Sequence, residues 1–120
     1  MVQEVKSQAK YNLGKLYLAQ GKEPEAIKEF EAAMLLQEDK SQSILELADL
    51  MFRNEQYIEA SKYYLELKVY KRVKECFELA IPKSETNKEY QTRIAYAKVL
   101  EEIQLYEKAK EQLLDAISDL

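Results

Sequence analysis

The residue types that most often carry catalysis are scarce in this sequence of 120 residues. It contains no histidine and a single cysteine, Cys76. Without histidine, the commonest general base and the usual zinc and haem ligands are missing, and one cysteine can form neither an internal disulfide nor a thiolate metal site. Cys76 stands beside Phe77 on an apolar helical face, so we interpret it as an inert core residue. The sequence therefore predicts no nucleophile–histidine centre, no bound metal and no cofactor.

Acidic side chains are the remaining candidates for general acid–base chemistry. Glu25 and Glu29 are four residues apart, as are Glu107 and Glu111, so each pair shares one face of a helix. Both pairs lie beside lysines, a pattern typical of a solvated face with ion pairs. No Gly-rich phosphate-binding loop accompanies them. We therefore predict that the protein is not an enzyme.

Composition and charge exclude further classes. Hydrophobic residues make up 47% of the chain and charged residues 33%, which indicates one globular domain. No apolar window is long enough to span a membrane and the first residues do not resemble a secretory signal, so we expect a cytoplasmic protein. A net charge of −4 argues against nucleic acid or an anionic membrane as the partner. We interpret the local basic cluster as a solvated helix flank; it comprises Lys68, Lys71, Arg72 and Lys74.

Apolar residues recur in steps of three and four along most of the chain, which predicts helices. Gly21 interrupts the first run, and Pro24 suits the first turn of the next helix because its missing N–H has no helical partner there. Only two glycines and two prolines are available for the turns of a β fold. We predict an all-α chain of about seven helices, with hairpins over about 5–37, 41–67 and 88–118 and an extra helix over about 70–81.

The chain also repeats itself. The segment YKRVKECFELAI from Tyr70 aligns without gaps on YEKAKEQLLDAI from Tyr106, which pairs Phe77 with Leu113. The segment EPEAIKEFEAAM has the same layout, with Phe30 at that position. In each copy a small residue allows close helix approach and a larger one a turn later fills the adjoining space. A fourth copy, YIEASKYYLELK, begins at Tyr57. The helices that precede the copies at Glu23, Tyr57 and Tyr106 carry a small residue too, namely Gly14, Ala48 and Ala97 respectively.

These residues resemble the tetratricopeptide repeat (TPR) family. The segment YNLGKLYLAQGKEPEAIKEFEAAM, from Tyr11 to Met34, is similar to a nearly complete repeat that lacks the initial aromatic residue and the closing proline. Looser copies begin at Ile44 and Ile94. The resemblance implies a right-handed superhelical array of antiparallel helix hairpins, a solenoid whose first helices line a concave face.

The repeat register fails between the second and the last copy. Their equivalent alanines, Ala60 and Ala109, are 49 residues apart, although the repeat length is 34. Three arrangements of residues 57–81 remain open. Tyr70–Ile81 is an extra helix after a complete hairpin, or it forms a hairpin with Tyr57–Leu67, or the whole stretch is one long helix. We favour a break near Lys68-Val69.

The resemblance implies that the concave face binds an extended peptide or a partner helix, as a non-catalytic interaction scaffold. Tyr11 and Phe52 are suited to contact an apolar side chain, and Asn12 to pair with a peptide backbone. The carboxylate clamp that some TPR proteins use for chaperone C-termini is not expected, because Glu46 replaces its second asparagine and would repel a carboxylate. The predicted partner contacts are Gln8, Tyr11, Asn12, Lys15, Leu45, Glu46, Asp49 and Phe52.

Two other functions stay open at this stage. Leu113, Leu114 and Ile117 give the last predicted helix an apolar strip, which would suit a structural domain that assembles with copies of itself. Alternatively, the chain is a regulatory domain that senses a short peptide and is cut from a larger protein.

Overall fold

Seven α-helices make up most of the computed structural model, which describes residues 2–37, 39–85 and 88–118. No strand occurs within these ranges, so the prediction of an all-α chain with about seven helices is confirmed. The first helix begins earlier than the periodicity predicts, and the fifth includes Pro82 in its last turn. The helices are α1 (Val2–Ala19), α2 (Glu23–Leu36), α3 (Ser41–Arg53), α4 (Tyr57–Glu66), α5 (Tyr70–Lys83), α6 (Glu89–Glu102) and α7 (Tyr106–Ser118).

Four of the connections are tight turns of three residues with the same backbone path. Their middle residues have left-handed φ angles, 75° at Gly21, 62° at Glu55, 60° at Lys68 and 65° at Gln104. The residue after each of them donates its N–H to a carbonyl five residues back, at 2.8–2.9 Å. This bond satisfies a carbonyl that the helix end would otherwise leave unpaired. Every such turn reverses the chain and produces an antiparallel helix pair.

The turn at Lys68 decides the arrangement of residues 57–81. Because α4 ends at Glu66 and α5 begins at Tyr70, the single long helix is wrong and the break near Lys68-Val69 is confirmed. α4 packs on α3 and about equally on α5. α4 therefore belongs to two hairpins, one with α3 and one with α5. The arrangement with a complete hairpin before α5 describes the first pair, and the arrangement with a hairpin of residues 57–81 describes the second.

The helices form an elongated stack. Each packs mainly against the helices before and after it in the chain. The principal extents are 54, 28 and 17 Å, and the radius of gyration is 16.9 Å, whereas a compact domain of this length would have about 14 Å. Contact mainly between sequence neighbours is typical of repeat proteins.

The core consists of two clusters, one joining α2 to α3 and the other running from α3 to α7. In the first, Leu47 and Leu50 of α3 pack with Ala26 and Phe30 of α2. In the second, Phe77 of α5 stacks on Tyr96 of α6, with ring centroids 4.9 Å apart and planes 7° from parallel. Each cluster thus joins one hairpin to the next.

Gly14 sets the distance between α1 and α2. A Cβ atom added there would lie 2.7 Å from Cε1 of Phe30, a ring that is fully buried. No side chain fits in that gap without displacing the ring. The mid-helix glycine is therefore explained by close packing, as its position in the repeat predicts.

We expect Gly14→Ala to lower the free energy of unfolding. The added methyl group overpacks the Phe30 contact, which costs about 1–3 kcal/mol, and this outweighs the roughly 1 kcal/mol that alanine contributes through helix propensity. Urea unfolding followed by circular dichroism measures the difference. Adding Phe30→Leu to Gly14→Ala should cause a smaller loss than the two single changes predict together. A Gly14→Ala protein more stable than the parent would contradict this account.

Lys68→Gly should have the opposite effect. A non-glycine residue in the left-handed region costs about 1 kcal/mol, so glycine at this exposed turn should raise the free energy of unfolding by about that amount. Gly21→Ala is the matched reverse change, since no atom lies within 4 Å of the added Cβ and the strain is purely conformational. Urea midpoints that move in the same direction for both variants would rule out this explanation.

Candidate functional site

Glu46 connects α3 to α1. Its Oε1 atom accepts a hydrogen bond from the Tyr11 hydroxyl at 3.3 Å and one from the Lys15 ammonium at 3.0 Å. The Tyr11 ring also packs against Phe30, with ring centroids 5.7 Å apart. Burial and the neighbouring Glu46 charge raise the pKa of Tyr11. Tyr11 therefore remains a neutral hydrogen-bond donor at physiological pH.

Two further residues of α3 contact the helices that follow. The Tyr64 hydroxyl of α4 donates a hydrogen bond to Asp49, and burial together with this bond raises the pKa of Tyr64. The Phe52 ring makes edge contacts with Tyr57 and Tyr64 at centroid distances of 5.4 and 6.4 Å. The Arg72 guanidinium lies 4.4 Å from the centre of the Phe52 ring. On α3, the Asp49 carboxylate therefore accompanies the Phe52 ring, whose face is covered by the Arg72 guanidinium.

These side chains border a depression that we call the α3 cleft, with a volume of about 380 Å³. Helices α1, α3, α4 and α5 all contribute to it. It combines the apolar side chains of Leu18 and Phe52 with two carboxylates and two guanidinium groups. The residues that line the cleft are Leu18, Glu46, Asp49, Phe52, Arg53, Tyr64 and Arg72.

The partner contacts predicted from the sequence are distributed around this cleft. Three of them, Glu46, Asp49 and Phe52, line it, and two more, Tyr11 and Lys15, adjoin it through their bonds to Glu46. The others lie elsewhere on the exposed surface. Gln8 donates to Asn12 at 3.1 Å along α1, and Leu45 is exposed on α3. All eight stay predicted contacts.

Sequence reasoning missed Arg53, Tyr64 and Arg72 as members of the cleft. Arg72 was expected on a solvated flank, but it covers Phe52 and forms an ion pair with Glu75 at 3.0 Å. The register break concealed this placement. The signal was the short interval between the breaks after α3 and α4, which leaves α4 only ten residues and returns the chain towards α3.

A second depression, the α6/α7 groove, has a volume of about 510 Å³. Leu113 and Leu114, predicted as self-association residues, lie in its wall, and Ile117 is 65% exposed on the same helix. The groove is mostly apolar with charges at its rim. Its lining comprises Ile94, Ala97, Lys98, Glu101, Tyr106, Ala109, Lys110, Leu113 and Leu114.

Two of the side chains considered for catalysis, those of Cys76 and Glu29, have surroundings typical of structural residues. Cys76 is completely buried, as predicted, and burial raises its pKa to about 11. Glu29 lies 3.6 Å from Lys10 in an ion pair. Over residues 2–37, 39–85 and 88–118, no three acidic, histidine or cysteine side chains are grouped closely enough to hold a metal ion. None of the described helices has both the length and the apolar character needed to cross a membrane.

No protein-family model matches the sequence, and no curated protein is significantly similar to it. The candidate site therefore rests on its own geometry.

The Cys76 thiol should react slowly with Ellman's reagent at pH 8, because it is buried and protonated. As a control, Cys76→Ala combined with Lys62→Cys moves the thiol to an exposed position on α4. We expect the native protein to react about a hundredfold more slowly than this control, and urea to abolish the difference. Equal rates without urea would show that Cys76 is accessible.

Proposed function

We propose that this protein is a non-catalytic, cytoplasmic interaction module of TPR-like architecture that binds a peptide or partner helix in the α3 cleft. The observation that supports the proposal is the cleft itself, where four helices bring Phe52, Leu18 and Arg53 next to two carboxylates. Such a surface is suited to recognise side chains by shape and charge. The free thiol of Cys76 suits a reducing compartment.

The repeat geometry supports the TPR-like part of the proposal. Three of the tight turns lie at Gly21, Glu55 and Gln104, and the first two are 34 residues apart. Packing mainly between sequence neighbours and an elongated shape are the other features expected of such an array. In a right-handed superhelix of this kind the α3 cleft would lie on the concave side.

The charges of the cleft favour a ligand with an acidic group beside an apolar one. Glu46 already accepts from Lys15, and Asp49 accepts from Tyr64, so both carboxylates have protein donors. The Arg53 guanidinium, by contrast, has no ion-pair partner among the residues described. A ligand carboxylate at Arg53 would form a charge-assisted pair, while an apolar side chain would pack on the Phe52 ring.

This proposal predicts the sequence and the site of binding peptides. Peptides selected from a random display library on the immobilised protein should be enriched in acidic residues next to apolar ones. Fluorescence anisotropy should then show that Arg53→Glu weakens binding of such a peptide by about tenfold or more. Phe52→Ala should have a similar effect.

Two controls separate the cleft from the rest of the surface. Lys62→Glu reverses a charge on exposed α4 and should leave the dissociation constant unchanged, and circular dichroism establishes that each variant keeps its helices. Selected peptides whose affinity is the same for Arg53→Glu, Phe52→Ala and the parent would refute the α3 cleft as the binding site.

A further inference from the structure

One face of α1 is apolar and uncovered. Val2, Val5, Leu13 and Leu16 follow one another in steps of three and eight residues that keep them on one side of the helix, and all four are exposed. Leu16 is 55% exposed although it lies in the middle of an ordered hairpin. No part of the chain that the structure describes packs over this α1 stripe.

The equivalent stripe on α3 is buried, and it shows what covers such a face. At the repeat spacing of 34 residues, Leu13 corresponds to Leu47 and Leu16 to Leu50. Both α3 leucines are fully buried in the cluster that contains Phe30 of the preceding hairpin. A first helix therefore uses this stripe to seat itself on the hairpin before it.

α6 repeats the same interaction, and α7 carries its unoccupied counterpart. Tyr96, which occupies the Leu13 position in α6, stacks on Phe77 of the preceding hairpin. Phe30 and Phe77 are the receiving residues of these two contacts, and the self-alignment places Leu113 at the same position in α7. Phe30 and Phe77 are buried, whereas Leu113 is 43% exposed in the wall of the α6/α7 groove.

We propose that the α6/α7 groove binds α1 of a second copy of this chain, with Leu13 of one copy against Leu113 of the other. The contact would continue the stack that the chain already builds twice within itself, from α2 to α3 and from α5 to α6. The contact joins the α1 stripe of one copy to the α6/α7 groove of another. After each addition, the assembly still presents one uncovered stripe and one uncovered groove. Association is then head to tail and open-ended rather than closed into a symmetric dimer.

The polar side chains that would meet at the edge of this contact, which we call the seam, can be derived from the equivalent contact within the chain. Within the chain, Glu46 of α3 reaches Lys15 of α1 at 3.0 Å. At the corresponding positions, the docking copy supplies Asn12 and the receiving groove supplies Lys98, which is part of its lining. An uncharged amide faces the ammonium group there. The seam is compatible in charge, but it lacks the ion pair of the internal contact.

Sedimentation velocity of two blocked variants tests the proposal. Leu16→Glu places a charge on the stripe and Leu113→Glu places one in the groove, and both positions are exposed enough to leave the hairpins folded. The parent protein should show a mass that increases with concentration, and each variant alone should stay at the monomer mass of 14.1 kDa. An equimolar mixture should form a species of twice that mass and nothing larger, because each partner supplies the surface that the other lacks.

The matched control is Leu35→Glu, which changes a leucine on α2 that is 83% exposed and outside both surfaces. It should associate like the parent. A parent protein that stays monomeric up to about 1 mM would overturn the proposal. So would a mixture of the two blocked variants that contains only monomers, because that result would indicate a symmetric contact or none.

A new ion pair in the seam should increase the affinity between copies. A non-specific apolar contact would not show this gain. Asn12→Glu restores the ion pair with Lys98 and should strengthen self-association by about threefold at low salt. Adding Lys98→Glu to this variant should reverse the gain. Unchanged association in Asn12→Glu would contradict the register. Arg53→Glu, which tests the α3 cleft, should leave self-association unaffected, so the two proposals can fail independently.

Discussion

The close contact between a small residue on one helix and a bulky ring on its partner is the constraint on which the structure depends. Gly14 and Phe30 show it most clearly, because the gap between them has no room for a methyl group. This contact fixes the distance between α1 and α2. It thereby also determines the shape of the surface on which α3 packs. Since protein interiors are as dense as organic crystals, such a distance cannot relax by small adjustments.

The candidate site arises where that regularity is interrupted. α4 has only ten residues and packs against both α3 and α5, so α5 follows α3 more closely than a further complete repeat would allow. This shift places Arg72 over Phe52 and supplies the α3 cleft with one of its cations. The regular hairpins provide rigidity, and the irregular one provides the chemical character of the surface.

The sequence was sufficient for everything that local interactions determine. Helix periodicity, the turn at Gly21 and the break near Lys68 each depend on a few adjacent residues, and all were predictable. The placement of Arg72 was not, because it follows from the double packing of α4, a contact between distant segments. Spacing alone also could not show that Lys15 already binds Glu46, since that depends on the distance between α1 and α3. Three of the four left-handed turn residues lack the glycine that would have signalled them.

Stacking within the chain and stacking between chains differ in strength for a physical reason. Burying a leucine fully contributes about 1.5–3 kcal/mol, so Leu47 and Leu50 hold α3 firmly on a hairpin to which it is covalently linked. Leu13 and Leu16 are only 36% and 55% exposed in the single copy, so covering them between copies would contribute less. Association opposes this gain with the loss of translational and rotational freedom, about 4–15 kcal/mol. The missing ion pair at Asn12 reduces the balance further. The same kind of surface therefore gives a permanent contact within the molecule and a reversible, concentration-dependent contact between copies. The α3 cleft stays uncovered in the single copy and in the associated copies.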